Sequence, residues 1–260
     1  MATIDEVHKA HRDLLIRFAG MSTDTPTGYS ALDTARDGWD IRWWILEPKP
    51  LKDILEQMQF EGGFVFRYKK GNPNQPQYIH IADSETTDAT LSKNDISNIS
   101  IKHSPFSEMV TKKLVSHFRH SATGNYIDSV EIEVPKSTSS PTSRTKWNIN
   151  AKENVQTVNL EMLVTAGGVG DTDPTGENRN ANWSAYTNAI FGDIKLMVAC
   201  EIVNPYFYDL EVGSIVEFDE NNMYPTTPMG HNSATWNNLQ FIIVGTNRAP
   251  GKLGVELREI

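Results

Sequence analysis

Residues 210–260 constrain the fold more than any other stretch: LEVGSIVEFDENNMYPTTPMGHNSATWNNLQFIIVGTNRAPGKLGVELREI. They divide into a strand, a long polar loop and a hairpin closed over residues 248–252. In the first strand Leu210, Val212, Val216 and Phe218 share one face, and Glu211, Glu217 and Asp219 share the other. That two-residue period belongs to a half-buried strand. The Asn-, Pro- and Gly-rich loop at 221–238 is longer than a connection needs, and long loops held by good strands carry contacts. The pattern predicts a structural β-domain and no reaction.

The remainder of the chain mixes helices with strands. Residues 3–19 read as a helix with Val7, Ala10, Leu14, Leu15 and Phe18 on one stripe. Thr3 and Glu6 have capping-box spacing, and Gly20 is placed to stop the helix. Residues 21–38 read as a loop and 40–46 (DIRWWIL) as a strand. A second helix is predicted over 51–60, ended by Gly62-Gly63, followed by a hairpin of 64–68 with 77–81. Further strands are expected near 96–101, 111–120, 126–134, within 148–164, and at 195–203, with a short helix over 183–191. The fold class is α+β, mainly β with some α: a tube-like β-barrel domain (104–260) preceded by an N-terminal helix and helix–hairpin module (1–103).

At 260 residues and 38% apolar content the chain can bury a core. Its formal charge of −9 is unevenly spread. From residue 151 onward there are 6 Lys/Arg against 14 Asp/Glu, so nearly all the excess lies there. An acidic half lacks the clustered cations that phosphate binding requires. The single cysteine, Cys200, forms no intrachain disulfide; it alternates with Leu196, Val198 and Ile202 and reads as a buried core thiol. The first helix is charged throughout, unlike a signal peptide. No apolar run approaches the ~18 residues of a membrane span, so no membrane anchor is expected.

Motifs that suggest chemistry are incomplete. Gly167, Gly168 and Gly170 lack the Lys-Ser/Thr of a phosphate-binding loop. The Asp171–Gly176 segment imitates the start of a calcium loop, but Asn182 stands where the bidentate Glu belongs. His8 and His11 share a helix face, with Asp5 nearby, and could serve a metal; without further ligands at a useful spacing, a solvated or interface face is the expectation. His117 and His120 fall on opposite faces of a strand. Glu217 and Asp219 pair on a polar strand face, but nothing separates their environments as glycoside hydrolysis demands. No nucleophile elbow occurs. No catalytic residue, metal or cofactor is assigned, and the chain is expected not to be an enzyme.

Aromatic residues give the candidate contacts. Trp43 and Trp44 must point to opposite sides of a strand, one toward the core and the other free to anchor an interface or lie under the first helix. Tyr206, Phe207 and Tyr208 follow Asn204-Pro205, a run of aromatics longer than one core needs. His231 and Trp236, in the long loop, complete the set expected at an interface. Carbohydrate stacking is the alternative use of these rings.

Four passages, taken in order, resemble the central tail-hub (baseplate-hub) proteins of tailed bacteriophages. They are LKDILEQMQFEGGFVFRYKKG with QYIHIAD, NDISNISIKHSPFSEMVTKKLVSHFRHS, FGDIKLMVACEIVNPYFYDLEVGSIVEF, and NNLQFIIVGTNRAPGKLGVELREI. The resemblance spans about residues 41–260 and rests on pattern, with no diagnostic signature. It implies a homotrimer in which two barrel domains per chain form a pseudo-six-fold ring. The implied partners are a tail tube or distal tail protein above and a spike or fibre component below, with DNA passing the lumen unbound. It implies residence in the virion tail after assembly in the host cytoplasm. The chain departs from the family by opening with a helix in place of a first barrel, which suggests a shortened hub or one piece of a longer tail protein. The alternative is a carbohydrate- or receptor-binding β-module of a virion tail.

Overall fold

The computed structural model describes residues 4–46, 48–69, 75–81, 86–133, 154–164, 169, 182–219, 236 and 239–260. Among these it contains four α-helices and eleven strands, an α+β architecture dominated by β-structure. The chain forms two compact units, Met1–Asp83 with Met109–Asp193, and Ser84–Glu108 with Ile194–Ile260. Each unit therefore uses two separate stretches. The boundary expected between 103 and 104 falls instead at the end of a strand inside the second unit, because that strand pairs with one about a hundred residues downstream.

The first unit holds α1 (Val7–Phe18), α2 (Tyr29–Ala35), α3 (Leu51–Gly62), the hairpin β1 (Phe64–Lys69) and β2 (Gln75–His80), β5 (Lys112–Arg119), β6 (Tyr126–Glu133), β7 (Val155–Leu160) and α4 (Trp183–Phe191). Strand β5 lies between antiparallel β6 and parallel β7. The core joins Val7 of α1, Leu32 of α2, Met58 of α3, Val115 of β5, Leu160 of β7 and Trp183 of α4. Helix α1 begins at Glu6, which makes no side-chain cap. The expected capping box is thus not formed from the Glu6 side, and Thr3 lies outside the described residues. Glu6 instead bridges Asp40 through the backbone.

Two further expectations change here. The segment 21–38 contains helix α2, whose seven residues carry too few apolar positions to show a helical period. Its N-cap, Gly28, has φ 79°, and a Cβ there would stand 2.2 Å from the Tyr78 carbonyl oxygen. Only glycine fits both the left-handed backbone and that approach. Residues 40–46 are not a strand: Asp40 and Ile41 form isolated bridges to Glu6 and Leu163, and residues 42–46 are irregular. A run of large apolar residues looks strand-like whether or not a neighbouring strand exists to pair with it.

The second unit is one six-stranded sheet ordered β3-β9-β10-β11-β8-β4. Its strands are β3 (Ala89–Leu91), β4 (Ile96–His103), β8 (Leu196–Ile202), β9 (Ile215–Phe218), β10 (Phe241–Ala249) and β11 (Lys252–Glu259). It curls as a half-barrel. Among the described residues it does not close, since β3 and β4 occupy opposite edges. Leu253, Val255 and Leu257 lie opposite Ile202, Cys200 and Val198, so the alternating apolar residues of both strands meet on one face. The β10–β11 turn places Gly251 at φ 76° after Pro250, a pairing suited to a tight turn. The strand read over 210–219 contracts to Ile215–Phe218, because the preceding residues form a 3-10 turn (Pro205–Phe207) and further turns.

Candidate functional site

In the second unit, strand β8 runs into the aromatic turn. Asn204 caps it by accepting from Tyr206 N at 3.1 Å, while its Nδ2 donates to Asp95 Oδ1 at 2.6 Å. Asp95 also accepts from the Ser92 amide and hydroxyl. Burial works to raise the Asp95 carboxyl, but these donors outweigh it and hold the group below its usual range. Tyr208 donates its hydroxyl to Val203 O at 3.1 Å, and Arg248 donates to the Tyr208 carbonyl and, at 3.0 Å, to that of Leu210. The turn is thereby held from both sides. Phe207 and Tyr208 lean on the sheet core, whereas Tyr206 is 81% exposed and edge-on to Phe207.

Trp236 takes the opposite position. It is fully buried, edge-on to Phe218 and stacked near Phe241, so its indole serves its own sheet and is not available to a partner. Its flanking loop was expected to dock as a whole, and its polar composition hid a core residue. His231 lies outside the described residues, as do the glycines 167, 168 and 170 and the calcium-like loop 171–176. Cys200 is buried as expected, and burial pushes its thiol up to about 12. Glu217 does not stand on a free acidic face: Thr87 and Gln240 donate to its Oε1.

In the first unit, Trp43 packs on the core with Lys49 over its ring, while Trp44 is 62% exposed. Trp44, Ile45 and Leu46 line a cavity of about 330 Å³ with Lys49, Arg119 and the residues 121–124. One tryptophan thus packs on the core and the other is exposed, although on irregular backbone.

The polar interior of this unit was largely illegible in sequence. Glu61, fully buried, accepts from the amides of Glu161 (2.7 Å), Met162 (3.0 Å) and Leu163 (2.9 Å) and from Gln57 Nε2 (2.6 Å). Burial raises its carboxyl above the usual range despite those donors. Arg36, also buried, donates to the carbonyls of Gly62, Gly63 and Ile81 and lies over the Trp39 and Tyr186 rings. Lys113 bonds Thr187 and Asn188, and burial lowers its ammonium to about 7.

His8 and His11 are both fully buried, not on a solvated or interface face. They do not share a ligand site. His11 bonds the Tyr78 hydroxyl at 2.9 Å, and burial lowers it to about 3. His8 Nε2 stands 2.7 Å from Asp33 Oδ1 and 3.3 Å from Glu6 Oε2. Burial lowers His8, against the pull of those carboxylates. The Lys9 ammonium is 2.8 Å from Glu6 Oε2 and 3.7 Å from Asp33 Oδ1.

No family model matches the sequence, and no curated protein matches it. Solved structures do. A chain in the virion of a native gene transfer agent particle superposes with a TM-score of 0.59 over 98% of this chain, at 12% identity. The fold is shared with a virion protein. This chain spans about half (47%) of that one. A tail protein from Neisseria meningitidis MC58 gives a TM-score of 0.47 at 11% identity, covering 98% of this chain and 66% of that one. A prophage tail protein from Listeria monocytogenes EGD-e gives 0.45 at 14% identity, covering 84% and 55%. No helix among the described residues is long and apolar enough to cross a membrane.

Proposed function

We propose that the protein is a structural, non-catalytic component of a virion tail tip: a tail or baseplate hub that assembles as a homotrimeric ring. The observation that carries this reading is the fold likeness to a virion chain over 98% of the residues. Two surfaces agree with it, the pinned Tyr206 turn and the exposed Trp44–Leu46 strip, since exposed aromatic anchors are what subunit contacts use. The ring would join a tail tube or distal tail protein to a spike or fibre component. DNA would pass its lumen without specific binding, since the C-terminal part is acidic. Assembly would take place in the host cytoplasm, and the product would reside in the virion tail.

Native mass spectrometry with light scattering tests this. Three copies per particle are expected, with rings in negative stain. A protein that stays monomeric at high concentration and associates with no particle overturns the hub. One observation favours a second reading, a carbohydrate- or receptor-binding module: Trp44 faces solvent beside the polar residues Lys49, Arg119, Ser121 and Thr123. Saturable glycan binding by a monomer, lost on Trp44→Ala, would select it.

A further inference from the structure

The group formed by Glu6, His8 and Asp33 belongs to the first unit. Two helices bring it together: α1 through its N-cap and first turn, and α2 through its body. Its three ligand atoms lie within 4.8 Å of one another. The scaffold beneath is tied down, with Val7 N donating to Trp39 O at 3.3 Å and Ile41 N to Asp5 O at 2.6 Å. His8 is fully buried and Glu6 nearly so, while the Asp33 side chain is half-exposed and can adjust. We infer that Glu6, His8 and Asp33 form a binding site for a first-row divalent cation such as Zn²⁺.

Three features support it. First, the donor set is right: one imidazole nitrogen and two carboxylate oxygens suit zinc and its neighbours, leaving a position for water. Ligands about 2.0–2.2 Å from a tetrahedral ion stand roughly 3.3 Å apart. Glu6 Oε2 and His8 Nε2 already stand at 3.3 Å, and Asp33 Oδ1, hydrogen-bonded to His8 Nε2 at 2.7 Å, would exchange that bond for the ion by moving outward. Second, Glu6 Oε2 is a buried carboxylate oxygen whose close cation is the Lys9 ammonium at 2.8 Å, a group whose own side chain is 40% exposed. It points at His8 Nε2, where an ion would sit between them. Third, a cation is already attracted there. Lys9 brings its ammonium to Glu6 and Asp33, yet its side chain is 40% exposed and free to swing into water. Two carboxylates against one ammonium leave a negative charge in excess, which a divalent ion replacing Lys9 would cancel. Lys9 is therefore a built-in competitor.

The test uses the purified full chain and the metal alone. Cobalt(II) titration should give saturable d–d absorption at one ion per chain, and zinc should displace it. Asp33→Asn, at a half-exposed position, should weaken cobalt binding at least tenfold with the fold unchanged by circular dichroism. Lys9→Met should tighten it severalfold, a gain that no merely structural role predicts. Glu6→Gln should behave as Asp33→Asn if it folds. Absence of a cobalt band in the parent protein at large metal excess overturns the site. So does binding that survives Asp33→Asn at full strength, because the ion is then elsewhere. The oligomeric state plays no part in the measurement.

Discussion

Replacing Glu61 should unfasten the first unit more than any surface change. Its carboxylate fills the end of β7, where three successive amides turn inward after Leu160. In Glu61→Ala, three buried donors lose a charged acceptor at once. A hydrogen bond to a charged group contributes about 1.5–3 kcal/mol, and a stranded buried donor costs about 1–3 kcal/mol. The losses are not additive, because water can enter the vacated space and the amides share two oxygens. Removing one side of a buried charged network typically costs about 3–5 kcal/mol, and the expected loss is about 4 kcal/mol. Glu61→Gln keeps one oxygen but turns an NH₂ toward donors, so about 2–3 kcal/mol is expected. Urea unfolding followed by tryptophan fluorescence measures both. Should Glu61→Ala cost under about 1 kcal/mol, or Glu61→Gln cost more than Glu61→Ala, the cradle does not hold the unit together as reasoned.

Three more outcomes are expected. Lys113 is held near 7 when folded and would return to its ordinary 10.5 on unfolding, so the unfolded chain binds more protons between those values and stability rises with pH across that window. Lys113→Met removes the effect; the stability of the parent relative to this variant should grow by on the order of 4 kcal/mol from pH 7 to 10, read by denaturation at each pH. Gly28→Ala should cost at least about 2 kcal/mol from left-handed backbone strain and collision with the Tyr78 carbonyl, seen as a lowered thermal midpoint. Trp236→Ala should cost about 3–5 kcal/mol, whereas Tyr206→Ala should change stability by under about 0.5 kcal/mol while weakening self-association in sedimentation velocity.

Elements with a clean period were legible in sequence. Leu196–Ile202 and Lys252–Glu259 alternate because one face is buried and the other is not, and the helices with a continuous stripe, α1 and α3, were likewise read. Helix α2 was not, since two turns leave too few positions to show a period. The strand assigned to 40–46 failed for the converse reason: strand propensity was present, but a ladder partner was absent beyond two isolated bridges. Aromatic excess over core demand marked the 206–208 run and the Trp43–Trp44 pair without saying which ring would be exposed, while the core position of Trp236 depended on Phe218 and Phe241 arriving from other strands. Glu61, Arg36, Lys113 and His8 are ionisable side chains that composition assigns to the surface. Their burial is decided by partners some 25 to 100 residues away, such as Asp33 for His8 and Leu163 for Glu61, and no local pattern announces it.

The order of strands in the second unit also sets a timetable. The two outermost strands, β3 and β4, emerge first during synthesis, and the two innermost, β10 and β11, emerge last. Neither edge strand pairs with the other, so about ninety residues of the intervening chain must be made before β4 meets β8. The middle of the sheet is filled only when residue 259 has left the ribosome. Until then the early strands wait as open edges, the condition in which a nascent chain is most exposed to wrong partners. The first unit can begin to form around α1, α3 and the β1–β2 hairpin while this happens, so the protein acquires its halves in sequence although neither half is continuous.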